Sequence, residues 1–169
     1  MSELLVTTTL GDFSIKLDAA APATSAYFSS LAKSKALDNS AFYRIVAPDN
    51  ATHRAEVPIA VVQGGLLVED PQPIAPIAHE STAATGLRHD RWVVSCARYA
   101  PGETYGSFFV CLRDEPELDY GGKRHPDGLG FAAFGKVDIG REIVEAIYAR
   151  REQEEMLAQP IAIRSVIAS

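Results

Sequence analysis

The sequence predicts a mainly β protein, an antiparallel barrel or sandwich. Three observations point there: about eight short β-prone runs, only two stretches with helical spacing, and turn-rich connections between them. Neither a βαβ alternation nor an internal repeat is visible. The 169 residues suffice for one domain, 1–169, with a real core, and 47% hydrophobic with 22% charged residues is an ordinary globular composition.

The chain opens with a hairpin. Leu4 to Thr9 is β-prone, Gly11-Asp12 suits a II′ turn, and Phe13, Ile15 and Leu17 then alternate with Ser14 and Lys16. Ala19 to Leu37 carries Thr24, Tyr27, Phe28 and Leu31 at helical spacing, with Pro22 suited to a first turn. Strand-like runs follow at Ala41 to Val46, Ile59 to Val62, Trp92 to Ala97, Phe108 to Leu112 and Phe131 to Val137, and Ile161 to Ile167 closes the chain. Before that last run, Gly140 to Arg150 reads as a second helix with an Ile143, Val144, Ile147 stripe. Glu142 in its first turn and Arg150 in its last complement the helix dipole. The loops Ala47 to Pro58, Glu69 to Arg91 and Arg113 to Gly130 are long, and long loops on a rigid scaffold are where binding concentrates.

Composition excludes several functions. The net charge is -6, the Lys and Arg residues are scattered, and Arg150-Arg151 runs straight into acidic residues. A phosphate-neutralising surface needs clustered positive charge, so neither nucleic acid nor an anionic membrane is an expected partner. The N-terminus lacks a positive leader, no run approaches the roughly 18 apolar residues of a membrane span, and the expected location is the cytoplasm. Cys96 and Cys111 lie in apolar runs and read as core thiols. Phosphate loops, dinucleotide fingerprints and nucleophile elbows are all missing. His53, His79, His89 and His125 fall in expected loops. His79-Glu80 and His89-Asp90 would suit a metal cluster in principle, but surface or loop-anchoring histidine is the plainer reading, and no metal or cofactor is expected.

Two signals remain. Arg44 sits inside Ala41-Phe42-Tyr43-Arg44-Ile45-Val46, either as an edge-strand arginine whose stem packs on the sheet or as a functional group. Gln63-Gly64-Gly65 follows the apolar run Ile59 to Val62, as a bulge, a turn or a close backbone approach to a ligand.

These segments together resemble the cyclophilin family, and the resemblance runs nearly end to end. It is carried by Thr9-Leu10-Gly11-Asp12-Phe13, by Phe42-Tyr43-Arg44, by Gln63-Gly64-Gly65 and by Thr85-Gly86-Leu87. Val94-Ser95-Cys96-Ala97-Arg98, Ser107-Phe108-Phe109-Val110 and Phe131-Ala132-Ala133-Phe134-Gly135-Lys136-Val137 complete it. The resemblance implies a closed eight-stranded antiparallel β-barrel with a helix over each end and a groove for proline-containing peptides. It further implies a cofactor-free peptidyl-prolyl isomerase, and nothing in the sequence demands more than a monomer. Arg44 takes the place of the family's catalytic arginine and Gln63 that of its groove glutamine, expected to hold the substrate carbonyl. Phe109 and Leu118 fall where the proline pocket is lined, and Ala97 where a peptide backbone pairs.

The departures from the family pattern cluster at the groove. Ala60 and Val61 replace an aromatic residue and a methionine, Arg98 replaces an asparagine, and Ser107 replaces a glutamine. Glu117 stands for a tryptophan, Phe131 for a histidine, and about eleven extra residues separate Arg44 from Gln63. Arg98 is expected either to hydrogen-bond a substrate backbone or to pair with Glu103 or Glu117. The alternative function is a non-catalytic proline-peptide-binding or chaperone module with an eroded site. A third reading is a small-ligand barrel using the loop of His79 and His89.

Overall fold

Period-two alternation gives a strand one apolar face, and a sheet of such strands hides that face by closing on itself. The computed structural model of the protein, which describes residues 2–67 and 76–169, has this closure. Its strands are β1 (Glu3–Thr8), β2 (Gly11–Leu17), β3 (Ser40–Val46), β4 (Val61–Gly65), β5 (Val93–Arg98), β6 (Thr104–Cys111), β7 (Ala132–Val137) and β8 (Met156–Ala168). They form a closed barrel in the order β1-β2-β7-β5-β6-β4-β3-β8, every pairing antiparallel. The eight-stranded antiparallel barrel implied by the resemblance is the fold.

Helix α1 (Pro22–Lys33) packs on β7 and β8, and α3 (Arg141–Tyr148) packs on β2 and β4. The first is shorter than Ala19 to Leu37, because Pro22 opens it and the backbone turns left-handed at Lys35 (φ 61°). A further single turn, α2 (Thr82–Thr85), lies within the expected loop Glu69 to Arg91, of which residues 68–75 fall outside the described residues. Ser81 caps it by accepting the Ala84 N–H, and Gly86 (φ 77°) ends it, a unit too short for periodicity to reveal. None of the helices among the described residues is long and apolar enough to cross a membrane.

Other boundaries shift for local reasons. The first hairpin turns at Thr9-Leu10, not Gly11-Asp12, since Thr8 already faces Gly11. The Thr8 hydroxyl closes that turn, donating to Gly11 O (2.7 Å) and accepting the Leu10 N–H (3.1 Å). Strand β8 starts at Met156 rather than Ile161, its outer half hidden in the sequence by Gln159-Pro160. Strand β4 includes Gln63-Gly64-Gly65. A Cβ on Gly64 would stand 2.7 Å from the Phe42 ring, and Gly65 (φ 104°) lies against the Gly106 carbonyl. These glycines admit neighbouring protein atoms, not a ligand.

The interior is aromatic. Phe28 of α1 stacks on Phe134 (4.5 Å, 5°) and meets Phe108 edge-on (6.1 Å), while Phe108 also meets Phe42 edge-on (5.7 Å). Val144 and Ile147 bring α3 into the same cluster. Cys96 and Cys111 are buried and free, and burial pushes both thiols up from their ordinary range. Phe28→Ala should cost about 3–5 kcal/mol. A lowered urea midpoint with an unchanged m-value would register this. A loss under 1 kcal/mol would mean that α1 does not anchor the barrel.

Candidate active site

Strict alternation from the inward Phe42 would turn Arg44 inward too. The structure avoids this with a bulge. Both ladders of β3 skip Tyr43: Phe42 faces Gly64 and Ile161, whereas Arg44 faces Gln63 and Met156. The phase slips by one, so Ile45 returns to the core while Arg44 emerges on the outer face. There, Val46, Ile59, Val61, Ala97, Phe109, Cys111 and Leu118 form a second apolar cluster, with Tyr105 and Phe131 packed against it. A cavity of about 350 Å³ lies over this cluster, and Arg44 and Gln63 line it together with Ala97, Phe109, Leu118 and Phe131.

Arg44 is clamped. Its Nε and one terminal nitrogen donate to Glu155 Oε1 (3.1 and 2.6 Å), and its other terminal nitrogen donates to Gln63 Oε1 (3.1 Å). Glu155, immediately before β8, is nearly fully buried. Its second oxygen accepts the backbone N–H groups of Thr52 (2.7 Å) and His53 (2.8 Å) and the Thr52 hydroxyl (3.1 Å). Burial alone would raise this carboxyl. The N–H groups of His53 and Thr52 and the Arg44 guanidinium outweigh it and hold the pKa at about 2.

Gln63 has its amide fixed by chemistry. Arginine only donates, so Oε1 must face Arg44, and Nε2 then points at the hydroxyls of Tyr43 (2.9 Å), Tyr105 (3.2 Å) and Ser107 (3.2 Å). Burial raises both tyrosines, which stay neutral partners. Without substrate, the donors of Gln63 are engaged inside the protein and its acceptor serves Arg44, so holding a substrate carbonyl would require exchanging one of these bonds. The placement of Ser107 at the groove is corrected. It is fully buried, bonded to Tyr43 (2.6 Å) and Gly64 O (3.0 Å), and lies behind Gln63 rather than in the cavity.

Arg98 lines the cavity, but its donors are engaged. It grips Asp127 with two bonds (2.9 and 3.0 Å), Gly130 O with two more (3.0 and 2.6 Å), and reaches Tyr99 O and His125 Nε2. It pairs with neither Glu103 nor Glu117 and has no N–H left for a peptide. The hydrogen bonds from Arg98, against a smaller opposing effect of burial, hold Asp127 at about 2. Burial, helped by the Arg98 charge, lowers His125. Phe131 meets Phe109 edge-on (5.4 Å, 90°), and the pair walls the apolar end.

Matches to known proteins follow the same outline. Residues 4–168 fit the family model described as cyclophilin type peptidyl-prolyl cis-trans isomerase. The chain belongs to the cyclophilins. It is 31% identical to the peptidyl-prolyl cis-trans isomerase cyp18 of Streptomyces antibioticus, over 98% of this chain and 97% of that one. With peptidyl-prolyl cis-trans isomerase A of Dickeya dadantii the identity is 28%, over 97% and 83% of the two chains. Two crystal structures of a Cryptosporidium parvum cyclophilin-type isomerase, the first in the presence of the dipeptide Ala-Pro, give TM-scores of 0.77 and 0.78. They are 18% identical to this chain, covering 99% of it and 98% and 97% of their own chains.

Within this cyclophilin, several cavity residues escaped sequence reasoning: His53, Ile59, Tyr105, Arg124, His125 and Pro126. Four of them belong to the long loops 47–58 and 113–130, whose length was the available signal. Among the described residues no His, Cys, Asp and Glu cluster suits a metal. His79 bonds Leu129 O (3.1 Å), and His89 is buried between Asp119 (2.7 Å) and Ser95 (2.8 Å) under the Phe109 ring. They anchor loops.

The clamp predicts an acid signature. Between pH 4.5 and about 2 the unfolded chain protonates Glu155 while the native one does not, so native stability falls as pH falls through that window. The stability difference between wild type and Glu155→Gln should be constant above pH 4.5 and shrink below it. A difference independent of pH down to 3, in urea midpoints on the ~1 kcal/mol scale, would count against an ionised clamp.

Proposed function

We propose that this cyclophilin rotates X-Pro bonds of unfolded or loop segments in the cavity beside Arg44, acting as a single cofactor-free unit in the cytoplasm. The observation that carries the reading is the state of Arg44. Of its five N–H groups, three are engaged by Glu155 and Gln63, which leaves one on each terminal nitrogen at the edge of an apolar cavity.

Rotation about a peptide bond meets a barrier of about 18–20 kcal/mol because amide resonance is lost in the twisted state. The lone pair that resonance delocalised then settles on the proline nitrogen and becomes a hydrogen-bond acceptor. A fixed arginine N–H aimed at that nitrogen binds the twisted amide better than either planar isomer, and this difference is what accelerates the reaction. Phe109, Leu118 and Phe131 are shaped to hold the pyrrolidine ring, with Val61 and Ala97 as floor, and their apolar surface keeps water away from the developing charge. Gln63 acts as a positioning residue, linking the hydroxyls of Tyr43, Tyr105 and Ser107 to the guanidinium. No bond is made or broken, so no nucleophile, proton carrier or metal enters.

The Ala-Pro dipeptide present with the Cryptosporidium parvum relative supports the choice of a proline peptide. NMR exchange on Ala-Pro peptides tests the assignment. Arg44→Ala should lower kcat/KM by about 100-fold, the usual range for removing one preorganised donor. Equal and negligible acceleration by wild type and variant would overturn it, and peptide binding without acceleration would favour the non-catalytic module.

A further inference from the structure

The 350 Å³ cavity is lined by three arginines, Arg44, Arg98 and Arg124, and among the described residues no acidic residue lines it. Two of the three have carboxylate partners just behind the wall. Arg44 is paired with Glu155 (2.6 Å) and Arg98 with Asp127 (2.9 Å). Arg124 has none within ion-pair distance among the described residues. One terminal nitrogen donates to three carbonyls, His53 O (3.1 Å), Arg54 O (3.3 Å) and Val57 O (3.1 Å). Its Nε and other terminal nitrogen make no hydrogen bond among the described residues.

Arg124 is only 5% exposed as a residue; one face of its guanidinium is satisfied by carbonyls, and the other faces the cavity, where its nitrogens keep some access to solvent. Burial lowers its pKa, and the nearby Arg44 charge lowers it further, with Glu155 and Glu56 opposing too weakly to restore it. Among the described residues three guanidinium groups thus line one cavity with two carboxylates paired behind its wall, which leaves one positive charge over in a chain whose net charge is -6. A buried charge without a partner is costly, and a ligand that supplies the partner recovers that cost on binding.

We propose that this cavity selects proline peptides with an acidic side chain next to the X-Pro bond, the carboxylate pairing with the unengaged face of Arg124. The proposal rests on the isomerase reading of the same site. It makes Arg124 a specificity residue: Arg44 acts on the amide nitrogen, while Arg124 selects the neighbouring side chain. Negative charge near Arg44 would also offset the repulsion between the two arginines.

The experiment uses the full chain and capped peptides with Ala, Glu or Lys immediately before or immediately after the proline. Exchange spectroscopy reads turnover and chemical-shift titration reads affinity on the same samples. At low ionic strength the Glu peptide should exceed the Lys peptide by about tenfold in kcat/KM at one of the two flanks, equivalent to about 1.4 kcal/mol. The ratio should shrink in ~0.5 M salt.

Arg124→Gln should bring the ratio near one whatever happens to the absolute rates, and Arg124→Lys should keep part of it. A variant that lowers every peptide equally would show that Arg124 only holds the 53–57 loop, overturning the proposal. Equal handling of Glu and Lys by wild type at both flanks would overturn it as well. Turnover without charge preference sinks the specificity and leaves the isomerase. Tighter binding of Glu peptides without turnover sinks the isomerase and leaves the specificity.

Discussion

The site exists because β3 loses phase at Tyr43. A strand has two faces and fixed alternation, so a charged residue two places after a core phenylalanine would be driven into the barrel. The bulge converts that conflict into a device, for Phe42 stays in the aromatic core and Arg44 comes out over the second apolar cluster. The slip happens on both ladders at once. It leaves the Ile45 N–H to be taken by Glu155 O (2.9 Å), which is how the residue before β8 comes to lie beside the arginine. The backbone irregularity and the side-chain clamp are therefore one feature.

The extra residues between Arg44 and Gln63 belong to the same construction. Asn50 closes the loop, accepting the Ala47 N–H (2.8 Å) and donating to Ile45 O and Glu152 O (3.0 Å each), while Thr52 and His53 deliver their N–H groups to Glu155. Arg54 and Arg124 then lace this loop to 113–130, through Lys123 O and Arg124 O in one direction and His53 O and Val57 O in the other. A long loop carries little packing of its own and is ordinarily among the least stable parts of a fold. Here both long loops beside the cavity are tied to buried charges, so the loop side of the cavity wall is held by hydrogen bonds while Phe109 and Phe131 wall its apolar end.

The barrel was legible because its signal is local and repeated. Phe13, Ile15 and Leu17, or Phe108 and Val110, announce an inner face without reference to anything distant. Arg44 and Gln63 stood out in the sequence as modest signals, a charge and an amide in or after apolar runs, and their roles came only through resemblance. What could not be read was pairing. Arg98 was offered Glu103 and Glu117 as partners, close in sequence, yet it binds Asp127 and Gly130, which the 113–130 loop folds back onto β5. Glu155 gave no sign at all. It is one of several glutamates in a polar stretch, and its burial depends on a bulge in a strand more than a hundred residues earlier. Ser107 was misplaced for a related reason. A hydroxyl at a groove position reads as a ligand contact until Gly64 O and Tyr43 are seen to hold it from behind.

The Arg98 substitution follows an electrostatic logic. Burying a guanidinium costs several kcal/mol unless partners meet it (roughly, for a desolvated ion), and Arg98 meets that condition with Asp127 and a backbone carbonyl. With every donor engaged, Arg98 stiffens the wall under Phe131, over whose ring its guanidinium carbon sits at 5.2 Å. Arg44 keeps two donors and Arg124 keeps one face toward the cavity. At Arg98 a fixed, fully paired charge stands where the family pattern has an asparagine amide. The charge preference proposed above rests on the same point: a guanidinium that has given up part of its hydration in the free protein has less left to lose when an anion arrives.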